Sequence, residues 1–114
     1  YPTQEAYLAD IVDFSRREVA ELVSLGCTYI QLDAPQYAAL LDPQIRAEYQ
    51  ERGSDPDKLI DLCIEMDNAI INGFPGVTFG IHLCRGNNQS KYYASGSYEQ
   101  SPACLRKRSS RSSF

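Results

Sequence analysis

His82 and Cys84 are the pair of side chains in this sequence best suited to bind a metal ion. They are separated by one residue at the end of the apolar segment VTFGIHLC. In a β-strand, residues two apart point to the same face, so an imidazole and a thiolate could bind one cation together, and zinc accepts both ligand types. The spacing therefore predicts a metal site at His82 and Cys84. The alternative is a core histidine beside a buried thiol.

Asp33 is the second candidate, because it ends the earlier apolar segment CTYIQLD. In parallel α/β proteins, ligands bind at the carboxyl ends of the strands, which would place this carboxylate beside a ligand. An aspartate before proline also caps turns, and Pro35 follows two residues later. The sequence leaves both roles open.

Two main helices and a shorter one are expected to position these residues. Apolar spacings of three and four predict an amphipathic helix from Thr3 to Gly26, and Asp42-Pro43 predicts a short helix to about Arg52. A capping residue before Pro56 predicts a further helix to about Asn72. Its expected buried stripe consists of Leu59, Leu62, Cys63, Met66, Ala69 and Ile70.

Two strands are predicted between these helices, over residues 27–33 and 77–84, and the first is expected to be buried. Helices that alternate with apolar strands favour an α/β fold with two parallel strands joined by a right-handed crossover.

The motifs GCTYIQLDAP and GIHLCRGN, in this order at the ends of the predicted strands, resemble the C-terminal catalytic domain of cobalamin-independent methionine synthase. They are more similar still to its shorter single-barrel relatives, and the likeness covers about residues 5–100. It implies a partial (β/α)8 TIM-barrel fragment, because a whole barrel needs about 200 residues or more. Residues 1–101 are then a partial barrel domain.

The resemblance also implies a function and site residues. It indicates a 5-methyltetrahydropteroyltriglutamate-homocysteine S-methyltransferase, in which zinc activates the homocysteine thiolate. His82 and Cys84 match the first two zinc ligands of the family, and Asp33 matches the acid that holds the substrate's ammonium group. Arg85 and Asn87 directly follow the metal segment and are predicted on the substrate side.

The sequence also departs from the family. Ala34 stands where a second acid is usual, and the other two zinc ligands, a glutamate and a cysteine, come from later strands. Glu99 and Cys104 are the available substitutes. The chain alone is therefore expected to hold an incomplete zinc site and to be inactive, so whether it acts as an enzyme stays open. The alternative is a non-catalytic barrel remnant that mediates self-association or protein interaction.

Charge and composition limit the possible partners. All 15 acidic side chains, but only 7 of the 11 basic ones, lie before residue 103, and this acidic body argues against nucleic acid. Residues 102–114 form a basic Ser/Arg tail predicted to be disordered, with nucleic-acid binding or phosphorylation as alternatives. The sequence contains no apolar run long enough to predict a membrane span. A cytoplasmic protein is therefore expected, and its cysteines are expected to be reduced. Expected partners are homocysteine, methyltetrahydrofolate, and a second copy or a paralogue covering the sheet edges.

Overall fold

The computed structural model describes residues 1–87 and 89–97. This part of the chain is an α/β structure whose elements are α1 (Gln4–Ser24), β1 (Tyr29–Asp33), α2 (Pro35–Leu41), α3 (Pro43–Glu51), α4 (Pro56–Ile71) and β2 (Thr78–His82). The residues form two compact units. Unit 1 contains Tyr1–Leu32 and Glu65–Gly80, and unit 2 contains Asp33–Ile64 and the described residues from Ile81 onward.

The first helix begins and ends where its sequence signals predict. The Thr3 side chain accepts a hydrogen bond from the Ala6 amide at 3.2 Å, as an N-cap residue does. At the other end, the Gly26 amide donates to the Val23 carbonyl and the Cys27 amide to the Leu22 carbonyl, which is the Schellman arrangement. It requires the left-handed conformation at Gly26, whose φ is 92°.

The two strands pair in parallel and form the sheet of the described residues. The Thr78 amide donates to the Thr28 carbonyl at 2.9 Å before β1, and the Ala34 amide donates to the His82 carbonyl at 2.9 Å after it. Both strands therefore run in the same direction and end at the same edge, as predicted.

An apolar cluster of Val19, Ile30 and Ile70 forms the core of unit 1. Within β1, Ile30 is buried and Leu32 is half-buried, whereas the alternate residues Tyr29 and Gln31 are exposed. The expectation of a buried first strand therefore holds for one face of β1 and not for the other. Only one face of β1 packs against helices here, so burial alternates along the strand.

Unit 2 has its own smaller core, in which Ala34, Tyr37 and Ile64 are buried. Its helix α2 was not predicted, because it is short and its N-cap position is Ala34, which has no side-chain acceptor. The α3 start was predicted correctly. There the Asp42 carboxylate accepts hydrogen bonds from the amides of Gln44 and Ile45 at 2.9 and 3.2 Å.

The start of α4 is also as predicted, with the Asp55 carboxylate accepting from the Asp57 amide at 3.0 Å. The predicted buried stripe is wrong in part. Ile64 and Asp67 are buried although neither was on it, and Ala69, which was on it, is exposed. Because α4 is apolar around most of its circumference, the spacing alone could not select the packed face.

None of the helices among the described residues is both long and apolar enough to cross a lipid bilayer. The predicted disordered tail at 102–114, and the candidate ligands Glu99 and Cys104, lie outside the described residues.

Candidate metal site

The site is built at the carboxyl ends of the two strands, within unit 2. Asp33 is the last residue of β1 and His82 is the last residue of β2. The hydrogen bond from the Ala34 amide to the His82 carbonyl holds the two strand ends at a fixed register. Because neighbouring parallel strands lie about 4.8 Å apart, this register brings the two side chains alongside each other.

Asp33, His82 and Cys84 form a cluster of metal-ligating groups. One carboxylate oxygen, one imidazole nitrogen and the Cys84 sulfur all lie within 4.8 Å of one another. The His82 Nε2 atom is 3.8 Å from the Asp33 Oδ1 atom. Asp33 and His82 are exposed and Cys84 is half-buried, so a ligand could reach the cluster from solvent.

Cys84 joins the cluster from outside the strand. The prediction placed it on a strand reaching residue 84, but β2 ends at His82. The pairing stops there because the chain after Ala34 becomes the helix α2, which begins at Pro35. Leu83 packs against the unit 2 core between the two candidate ligands. The imidazole and the thiol therefore lie close together, as expected. Only His82, however, belongs to the strand that was expected to hold both residues.

The donor set of this cluster fits zinc. Zinc binds imidazole nitrogen, thiolate sulfur and carboxylate oxygen, whereas calcium and magnesium take oxygen ligands. A thiolate and a carboxylate together would also balance the charge of a divalent cation. Within residues 1–87 and 89–97, this is the one group of three such side chains close enough to share an ion.

Arg85 and Asn87, the residues predicted on the substrate side, each contact the loop that follows Cys84. The Arg85 guanidinium carbon lies 5.9 Å from the centroid of the Tyr92 ring, in a cation–π contact. The Asn87 Oδ1 atom accepts a hydrogen bond from the Ser90 amide at 3.0 Å. Both side chains thus contact the loop that follows Cys84, and Asn87 shapes its turn.

The loop closes on its own backbone next to the cluster. The Arg85 carbonyl accepts hydrogen bonds from the amides of Tyr93 and Ala94, at 2.8 and 3.0 Å. The position of Arg85, one residue after Cys84, is thereby tied to the buried Ala94.

Asp42 fixes the far end of the same loop. Besides capping α3, its carboxylate accepts hydrogen bonds from the Ser95 amide at 2.6 Å and the Ser95 hydroxyl at 2.8 Å. These bonds, with the Ser95 amide first, lower the pKa of Asp42 from 3.8 to about 2. The sequence showed Asp42 as a helix cap. No local signal links it to Ser95, which lies 53 residues away.

Comparisons with known proteins give partial similarities. The chain is 29% identical over 100 residues to the uncharacterized protein YxjH of Bacillus subtilis, covering 87% of this chain and 26% of that protein. It is 31% identical over 91 residues to YxjG of the same organism, covering 79% and 24%. It is 30% identical over 98 residues to a methionine synthase of Pyrococcus abyssi, covering 86% and 23%.

The chain thus spans about a quarter of the length of the curated relatives it matches. No protein-family model matches it, and no solved structure matches it significantly. What the comparisons establish is a distant, partial similarity of this α/β chain to methionine synthase.

Proposed function

We propose that this chain provides the zinc-binding and thiol-binding part of a methionine synthase-like S-methyltransferase. The observation that carries the proposal is the meeting of Asp33, His82 and Cys84 at the carboxyl ends of two parallel strands. The partial similarity to the Pyrococcus methionine synthase supports the same assignment. His82 and Cys84 are the proposed zinc ligands.

The proposed architecture is part of a (β/α)8 barrel formed by residues 1–101. Two neighbouring parallel strands connected through α2, α3 and α4 agree with consecutive βα units of such a barrel. Ligand-binding groups in these barrels lie at the carboxyl ends of the strands. The cluster occupies that edge of the sheet.

The proposed reaction transfers a methyl group to a thiol such as that of homocysteine. When bound, zinc acts as a Lewis acid that keeps the substrate sulfur deprotonated near neutral pH. A sulfur electron pair forms the new S–CH3 bond, and the bond between the methyl carbon and N5 of a methyltetrahydrofolate breaks. The electron pair of that bond stays on N5, which takes up one proton.

The residues after the cluster are proposed to face the amino-acid end of the thiol substrate. Arg85 would offer its guanidinium to a carboxylate, for which the fixed fork of donors is well suited. Its contact with Tyr92 restricts the side chain before substrate binds. Asn87 is proposed to contribute through the turn that it makes with Ser90.

Zinc binding to the whole 114-residue chain tests this proposal. We expect the purified chain to take up about one zinc per molecule, measured by mass spectrometry and by competition with a chromophoric chelator. His82→Ala and Cys84→Ser should each lower the affinity by at least about 10-fold, because each removes a proposed ligand.

Cys27→Ser is the matched control, since Cys27 lies in unit 1 and its sulfur donates to the Tyr29 carbonyl. This variant should bind zinc as the unmodified chain does. Equal zinc affinity in the Cys84→Ser and Cys27→Ser variants, with both folded by circular dichroism, would refute the proposed site.

A further inference from the structure

The loop that follows Cys84 presents two neighbouring tyrosines to solvent. Tyr92 is 77% exposed and Tyr93 is 62% exposed, and neither belongs to the apolar cluster of unit 2. The proposed function assigns neither ring a ligand. Tyrosine has a large apolar ring that is stabilised by burial, and binding residues are often carried on loops that a rigid scaffold positions. Two such rings left in water beside a candidate site therefore indicate a binding surface.

The backbone that carries these rings is fixed. The Arg85 carbonyl accepts hydrogen bonds from the amides of Tyr93 and Ala94 at 2.8 and 3.0 Å, which ties both tyrosines to the residue directly after Cys84. Gly86 permits this close approach, because a Cβ atom there would lie only 2.8 Å from the Tyr93 Cβ atom. A surface ordered in this way loses less entropy on binding than a flexible one.

The side chains next to the rings are basic. The Arg85 guanidinium carbon lies 5.9 Å from the centroid of the Tyr92 ring, and the exposed Lys91 precedes Tyr92 in the chain. Residues 85–97 include these two basic side chains and no acidic one, although the chain before residue 103 is acidic as a whole. A cationic ligand would meet a guanidinium already at the ring, whereas an anionic ligand would be attracted.

These features together select a class of ligand. A tyrosine ring stacks on planar heteroaromatic rings, and the neighbouring basic groups favour attached carboxylates. A methyltetrahydrofolate contains both parts, because its pterin group includes a flat pyrimidine ring and its tail consists of glutamate. A small methylated sulfonium or ammonium compound, which could also donate a methyl group, contains no such ring and carries the opposite charge.

We propose that Tyr92 and Tyr93 form the binding surface for the methyl donor, with Tyr92 stacking on the pterin ring and Lys91 contacting the glutamate carboxylates. The inference rests on the proposed function, because it takes the transfer of a methyl group to a thiol as the reaction. Arg85 then separates this surface from the proposed metal ligand Cys84 by one residue. Binding of the donor and the thiol at adjoining positions would bring the two reactants together.

Equilibrium dialysis of the whole chain against 5-methyltetrahydropteroyltriglutamate tests the proposal. A chelator is present throughout, so that zinc does not contribute to binding. Tyr92→Leu keeps apolar bulk but removes the ring, and it should weaken binding by about 10-fold, as expected for the loss of one stacked ring. Tyr92→Phe should bind within about twofold of the unmodified chain, because the ring is retained.

Tyr1→Leu is the matched control, since Tyr1 is also 77% exposed and lies in unit 1. It should leave donor binding unchanged. Lys91→Gln tests the charge contribution. It should lower the affinity for the triglutamate donor more than for the monoglutamate form, which has fewer carboxylates, and added salt should reduce that difference.

Equal donor affinity in the Tyr92→Leu and Tyr1→Leu variants, with both folded by circular dichroism, would overturn the inference. The absence of donor binding to the unmodified chain would do the same, and so would binding of tetramethylammonium that Tyr92→Leu abolishes, because it would indicate a cation site. These outcomes leave the proposed zinc site standing. Failure of His82→Ala and Cys84→Ser to weaken zinc binding would instead remove the proposed function itself.

Discussion

The contacts that stabilise unit 1 internally differ from those that stabilise unit 2 internally. In unit 1, the apolar cluster of Val19, Ile30 and Ile70 is supplemented by Arg16, which donates to the carbonyls of Ala69, Ile70 and Asn72 at the end of α4 and contacts the Phe74 ring. In unit 2, the apolar cluster is smaller, and Asp42 ties α3 to Ser95. The candidate metal site lies in unit 2.

Apolar packing and hydrogen bonds to a charged group position different parts of a protein. Apolar packing fixes elements against each other, but it is not directional. Directional hydrogen bonds to a charged group fix a loop relative to a helix end. Unit 2 uses them to hold Ser95, in the chain that follows the candidate metal ligand Cys84.

The largest expected effect comes from emptying the unit 2 core. Ile64→Ala should lower the free energy of unfolding by about 2–5 kcal/mol, because it leaves a cavity at a site that is 4% exposed. Leu83 and Ile81 pack against the same cluster, so zinc affinity should fall as well. Urea denaturation and chelator competition measure the two quantities.

Val19→Ala is the matched variant in unit 1, where the side chain is also 4% exposed. It should destabilise the chain by about 1–3 kcal/mol and leave the zinc affinity of the folded protein unchanged. An equal loss of zinc affinity in both variants would contradict the expectation that the unit 2 core, and not the unit 1 core, positions the metal site.

Acid should weaken unit 2 before unit 1. The pKa of Asp42 is about 2 in the folded chain and 3.8 in the absence of its partners, so the folded state is favoured while the carboxylate stays ionised. Its contribution, about 2 kcal/mol, is complete above about pH 5 and disappears as the pH falls through 4 towards 2.

Amide hydrogen exchange measures this difference. Between pH 5 and 3, protection of the Ser95 and Ile45 amides should decrease more than that of the Cys27 amide, after correction for intrinsic rates. Asp42→Asn should remove the pH dependence at Ser95, because the variant has no charge to lose. A uniform loss of protection in both units would contradict the assignment of Asp42 as the acid-sensitive contact.

Two glycine substitutions compare the space around the backbone in the two units, and the one in unit 1 has the smallest expected effect. A Cβ atom at Gly96 of unit 2 would lie 2.6 Å from the Leu41 carbonyl oxygen, and backbone cannot easily move away. Gly96→Ala should therefore cost about 1–3 kcal/mol of stability. At Gly80 of unit 1, the added atom would meet the Tyr29 hydroxyl, which ends an exposed and rotatable side chain. Gly80→Ala should cost less than about 1 kcal/mol. Thermal denaturation measures both variants, and a larger loss of stability for Gly80→Ala than for Gly96→Ala would contradict this comparison.

Much of the local structure could be predicted from the sequence. Thr3, Asp42 and Asp55 cap helices at the expected positions. In each case a side-chain oxygen accepts a hydrogen bond from the unpaired amide three residues later, and this contact depends only on the local sequence. Helix α2 could not be predicted in the same way, since Ala34 offers no cap and its neighbours become buried only through tertiary contacts. The packed face of α4 was mistaken for the same reason, because its apolar residues surround most of the helix.

The candidate site was predicted as a set of residues and not as a geometry. The sequence indicated His82 and Cys84 as metal ligands and Asp33 as a neighbouring acid, and the structure brings these three together. It places Cys84 beyond the end of β2 and directs Arg85 towards Tyr92, neither of which the motif indicated.

By itself, the sequence determined which donor atoms are available and where the helices begin, because both depend on residue types within a few positions of one another. The tertiary structure decided that a carboxylate at the end of β1 lies 3.8 Å from an imidazole at the end of β2. It also decided that Asp42 holds Ser95, a contact that spans 53 residues. Such contacts depend on the register of two strands and the docking of a loop, which no local spacing of residues encodes.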